Sequence, residues 1–90
     1  MSAATFGPQL RTLRKARGLD QKTLANCGGI HHTYLSKVEN GRATPPKEAT
    51  IRRLADALSY NPERLTLEAG RIPARLLERV AAALLDGWRP

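Results

Sequence analysis

Apolar residues recur along this chain at three- and four-residue spacing and nowhere in strict alternation, the period of helices buried on one side. Phe6, Leu10, Leu13 and then Ala16 or Arg17 form one such stripe, and Gly18 stops it. Asp20 suits the N-cap of a second short helix from Gln21, with Leu24 and Ala25 inward and Gly28-Gly29 at its end. A third segment opens at Ile30, continues through Tyr34, Leu35 and Val38, and closes at Asn40-Gly41. Thr44-Pro45-Pro46 is a stiff connector. A fourth helix is expected from about Lys47 to Leu58, with Ile51, Leu54, Ala55 and Leu58 inward and Arg52, Arg53 and Asp56 outward. Asn61-Pro62-Glu63 supplies an N-cap, a first-turn proline and a first-turn acid for a fifth helix ending at Gly70. Pro73 begins a sixth, ending near Asp86-Gly87. With no β-branched alternation and no hairpin signal, the expected fold is all-α. A five-helix unit over residues 6–70 is followed by a C-terminal helix over 71–90, an extension of the same domain.

Ninety residues make one small domain. Its charge is uneven. Residues 1–53 carry ten basic and three acidic side chains, whereas residues 54–90 carry five of each. The net charge of +7 therefore lies wholly in the front of the chain, as on a face that meets a polyanion. No apolar run approaches the ~18 residues of a membrane span. Met1–Gly7 is uncharged and too short for a signal peptide's apolar region, so a cytoplasmic location is expected. The single cysteine, Cys27, excludes a disulfide framework and a cysteine-rich zinc site.

The stretch Gln21–Asn40 carries the chemistry. Two short helices meet across a glycine turn, with small Ala25 where they would cross. Leu24, Ile30, Leu35 and Val38 face inward and fix the angle between them. His31, His32, Thr33 and Lys37 are left on the outer face of the third helix. Such side chains can address base edges when the start of a helix enters a DNA major groove.

In this pattern the chain resembles the phage-repressor-like helix-turn-helix proteins, the Cro and lambda-repressor superfamily. The resemblance spans roughly Phe6 to Gly70. It rests on Phe6-Gly7, the run at 13–19, Gln21, Leu24-Ala25, Gly29, the run Tyr34–Gly41, Leu54-Ala55 and Ala57-Leu58. Each is weak alone; their joint order and spacing are specific. The resemblance implies that His32, Thr33 and Lys37 read bases and that Gln21, Asn40 and Arg42 meet the DNA backbone. His31, on the same outer face, is a further base-reading candidate, and Lys22, Tyr34 through its hydroxyl and Lys47 beside the start of the fourth helix are further backbone candidates. Tyr34 could equally be packing. Arg14 and Glu39 match a buried ion pair joining the first helix to the third, a structural role. Gly28 departs from the pattern, which usually has a larger apolar residue before the turn glycine. Met1–Thr5 has no basic residue, so no DNA-wrapping arm is expected.

Other chemistry finds little support. Adjacent histidines on a helix point about 100° apart, and no cysteine or carboxylate stands at ligand spacing, so no metal is expected. Cys27 has no His–Asp partner pattern and reads as a packed or half-exposed residue. No catalytic constellation and no cofactor motif is present, so the chain is read as no enzyme. The sixth segment carries a broad apolar stripe, Ile72, Leu76, Leu77, Val80, Ala81, Leu84 and Trp88. It is expected to form a homodimer interface; the other reading folds it onto its own core. The reading as a whole is a sequence-specific regulator of double-stranded DNA, expected to repress as a homodimer on an inverted repeat. The alternative is a protein-interaction adaptor, antitoxin-like, binding a protein partner through its last helix.

Overall fold

The computed structural model describes residues 5–71, 73, 74, 77–79 and 82. The chain forms α1 (Phe6–Ala16), α2 (Gln21–Gly28), α3 (His32–Glu39), α4 (Glu48–Leu58) and α5 (Pro62–Glu68). Residues 74, 77–79 and 82 are helical as well, and no strand occurs among the described residues. The fold is all-helical, as the spacing predicts.

One core joins the five helices. Phe6 and Leu10 of α1, Leu24 and Ala25 of α2, Leu35 and Val38 of α3, Ile51, Leu54, Ala55 and Leu58 of α4, and Leu65 of α5 are all buried. Each large side chain here contributes about 1.5–3 kcal/mol through removal from water. The outermost turn of α1 departs from the simple stripe: Ala16 and Arg17 are exposed and Arg14 turns inward instead.

Two glycines set the closest approaches. A Cβ on Gly7 would strike the carbonyl oxygen of Val38 and lie 2.7 Å from that of Glu39, so α1 rests directly on the backbone end of α3. A Cβ on buried Gly28 would lie 2.7 Å from Leu54 Cδ2. The place of the larger apolar residue missing from the motif is thus filled by Leu54, from α4.

The helices end alike. After each of α1 to α5 a residue at φ between 52° and 81° turns the chain. The next N–H then reaches back five residues, as Ile30 N–H does to Ala25 O at 3.0 Å and Arg42 N–H to Lys37 O at 2.7 Å. This is the Schellman stop, which satisfies the otherwise orphaned last carbonyls. At four of the five stops the turning residue is glycine; after α4 it is Ser59, at φ 52°.

The stop after α2 corrects one expected boundary. Ile30 is consumed by it, so α3 begins at His32 rather than Ile30, and His31 precedes the helix as its N-cap. Lys47 likewise precedes α4 as its N-cap residue.

Candidate nucleic-acid interface

α2 starts on Asp20, whose Oδ1 accepts the Thr23 N–H at 2.7 Å. That bond holds the carboxyl below its ordinary range. The N-cap of α3 is less common. His31 Nδ1 accepts the Thr33 N–H at 3.1 Å. The His31 and His32 rings stack with centroids 4.5 Å apart. His31 therefore stands at the start of the helix, not on its outer face. Among the described residues no group of three or more His, Cys, Asp or Glu could hold a metal.

α3 is fixed from behind by a buried ion pair. Glu39 takes Arg14 Nε on Oε2 at 2.8 Å and Arg14 Nη2 on Oε1 at 3.0 Å. Arg14 Nη1 also donates to Leu19 O at 2.9 Å, and Gln21 Nε2 donates to Glu39 Oε1 at 3.2 Å. The hydrogen bond to Glu39 raises the guanidinium's affinity for its proton, against the effect of burial. One carboxylate thus ties the ends of α1, α2 and α3 together.

With Leu35, Val38 and Glu39 inward, helical geometry puts Thr33, Ser36, Lys37 and Asn40 on the opposite side. Thr33, Lys37 and Asn40 are exposed, and His32 and Ser36 half-buried. His32 lies on the flank beside Glu39 rather than at the centre of this face. Ser36 was not singled out by the motif, although its spacing of three from Thr33 marks it. Lys22 of α2, and Arg42 and Lys47 on the segment after α3, are exposed. Arg52 and Arg53 are exposed on α4, as expected for an outward face.

Tyr34 belongs to the packing. It is half-buried against the core, and its hydroxyl donates to Thr44 O at 2.9 Å. A phosphate oxygen needs a donor, and the Tyr34 O–H is engaged by Thr44 O, which favours the packing side of its two expected roles. Cys27 is exposed and free. Of the residues expected at a dimer interface, Leu77 is 52% exposed. Leu76, Val80, Ala81, Leu84 and Trp88 lie outside the described residues.

The helix-turn-helix domain family matches residues 5–67. The chain belongs to that family. It is 48% identical over 69 residues to the uncharacterized HTH-type transcriptional regulator RghRB of Bacillus subtilis (strain 168). It is 44% identical over 68 residues to the HTH-type transcriptional repressor RghR of the same organism. These matches take in 77% and 76% of this chain and 50% of each relative, so the chain spans half the length of the curated relatives it matches. The crystal structure of the restriction-modification controller protein C.AhdI from Aeromonas hydrophila is similar, with a TM-score of 0.62 at 40% identity. That likeness covers 70% of this chain and 90% of the other. The domain is therefore the helix-turn-helix domain that these HTH-type transcriptional regulators also carry.

Proposed function

We propose that this chain reads double-stranded DNA through α3 and acts as a transcriptional repressor. The observation that carries this reading is the division of α3. Leu35, Val38 and the paired Glu39 hold its inner side, while Thr33 and Lys37 stand exposed on the outer side, flanked by His32. These side chains match what base edges in the major groove offer, lysine favouring guanine acceptors. Gln21, Lys22, Asn40, Arg42 and Lys47 surround that face and supply contacts to phosphates, which give affinity and fix position without sequence preference. A selection of bound sequences from a random pool tests the reading. A defined site whose preference changes in Thr33→Ala or Lys37→Ala supports it; a pool without enrichment sinks it.

The operating unit in this proposal is a homodimer on an inverted repeat. One recognition helix reads only a few base pairs, too few to single out a site in a genome. A two-fold pair doubles the reading, with half-sites about 10–10.5 base pairs apart or a multiple of that. Leu67 of α5 and Leu77, 45% and 52% exposed, are large apolar side chains for a second copy to cover. Leu77→Glu should then sediment as a folded monomer with weakened operator binding. A wild-type protein that stays monomeric on its operator refutes pairing.

A further inference from the structure

The family match ends at residue 67, and beyond it Arg71 and Ala74 reach the segment in front of α4 and its first residue. Arg71 Nη2 donates to Pro45 O at 3.0 Å. Glu48 Oε1 accepts the Ala74 N–H at 2.9 Å, where the helical residues beyond α5 begin. Pro73, between these two bonds in sequence, is fully buried, and Pro46, next to Pro45, is buried as well.

The braced segment is the one that carries Arg42 at its start and Lys47 at its end. It has no regular structure between residues 42 and 47. Two consecutive prolines, Pro45 and Pro46, have no N–H to donate, so this stretch cannot secure itself by hydrogen bonds from those residues. Its carbonyls are secured from outside instead. Thr44 O is held by Tyr34 from α3, and Pro45 O by Arg71. Glu48, the first residue of α4, is then fastened to the chain beyond α5 by its side chain.

We infer that Arg71 and Glu48 are positioning residues for the DNA-backbone grip. They set Arg42 and Lys47 relative to α3, and so govern affinity for any DNA without touching it. This rests on the reading of α3 and its flanks as a DNA-binding surface.

Glu48 makes the inference testable by sign. If Glu48 acted only through its charge, removing it would tighten binding to a polyanion. If it acts by holding the loop, Glu48→Ala weakens binding despite the lost negative charge. The expected result is a loss of about 3–10-fold for Glu48→Ala and for Arg71→Ala, the size of one hydrogen bond. The loss should be equal on preferred and random DNA, with melting temperatures close to wild type. Glu48→Gln keeps an acceptor for the Ala74 N–H and should bind at least as tightly as wild type. Amide exchange at residues 42, 43, 44 and 47, followed in the protein without DNA, should speed up in both alanine variants and not in Glu48→Gln. Glu48→Ala binding as tightly as wild type would overturn the inference. Unchanged exchange in the alanine variants would overturn it too, even if the wild type proved to bind no DNA, an outcome that separately defeats the DNA reading.

Discussion

Arg14 and Glu39 meet through two parallel hydrogen bonds, at 2.8 and 3.0 Å, with the Glu39 side chain 1% exposed and that of Arg14 10%. Such a pair is costly to break from one side, because the remaining charge is stranded without water. Glu39→Ala should destabilise the domain by about 3–5 kcal/mol. Asp56→Ala, at an exposed position of α4, should stay within about 0.5 kcal/mol of wild type. Thermal melts of the two variants compare them directly, and equal midpoints would show that the pair contributes nothing.

Gly28 and Leu54 should behave as one unit. Gly28→Ala places a methyl group 2.7 Å from Leu54 Cδ2, an overpacking that costs about 1–3 kcal/mol. Shortening the neighbour in Gly28→Ala/Leu54→Val should recover part of that loss, giving a non-additive double-mutant cycle. Gly7→Ala admits no such rescue, since its methyl would meet the carbonyls of Val38 and Glu39. Additive energies for the first pair would show that the contact does not couple them.

Ser59 occupies at φ 52° a place that glycine fills at the other helix ends. A Cβ in this region costs about 1–2 kcal/mol, part of which glycine's greater freedom in the unfolded chain offsets. Ser59→Gly should therefore raise stability by about 0.5–1 kcal/mol. A denaturation midpoint at or below wild type would contradict it.

Tyr60 should set an alkaline limb of stability. Burial pushes its hydroxyl above the ordinary value of 10.0, aided by its hydrogen bond to Glu68 and that carboxylate's charge. The folded state thus holds this proton more tightly than the unfolded state does. The contribution is complete below pH 10.0 and is lost as pH rises through the folded value. Tyr60→Phe has no proton to lose, so its stability should fall less steeply over that range. Circular dichroism against pH in both proteins checks this, and parallel alkaline limbs would refute it.

The residues proposed to face DNA should separate into two kinds of loss. Thr33→Ala and Lys37→Ala should each lose about 1–3 kcal/mol of discrimination at one or two base positions. Arg42→Ala should weaken all sequences alike and reduce the slope of log K against log salt by about one. An Arg42→Ala protein with a changed preference at constant slope would reassign that residue.

The helices were legible in the sequence because their stripes and stops are local. Phe6 and Leu10, or Ile51 with Leu54 and Leu58, declare an inner face by spacing alone, and a glycine marks most of the ends. His31 departs from its expected place for a physical reason. Serine, threonine, aspartate and asparagine are the usual N-caps, so an imidazole at that position reads as the first residue of the outer face. Ser59 gave no sign of left-handed backbone, since nothing in its side chain asks for it. The use of Glu48 by Ala74, and of Pro45 by Arg71, joins residues 26 apart in sequence. No periodicity encodes such contacts. In the sequence Gly28 is a gap in the motif, and only the packing of α4 shows what fills it.

Leu54 in the hollow over Gly28 also bears on how far the helix-turn-helix can be treated as a part. Residues 20–42 hold the proposed reading face, but the angle between their two helices leans on a side chain from α4 and on Arg14 from α1. Grafted onto another scaffold, the segment would keep its surface letters and lose the frame that presents them. Conversely, a change of Leu54, which lies outside the proposed reading face, would shift α3 relative to α2. Swapping specificity into this protein should thus exchange the outer residues of α3 alone, and leave Gly28 and its distant partner as a matched set.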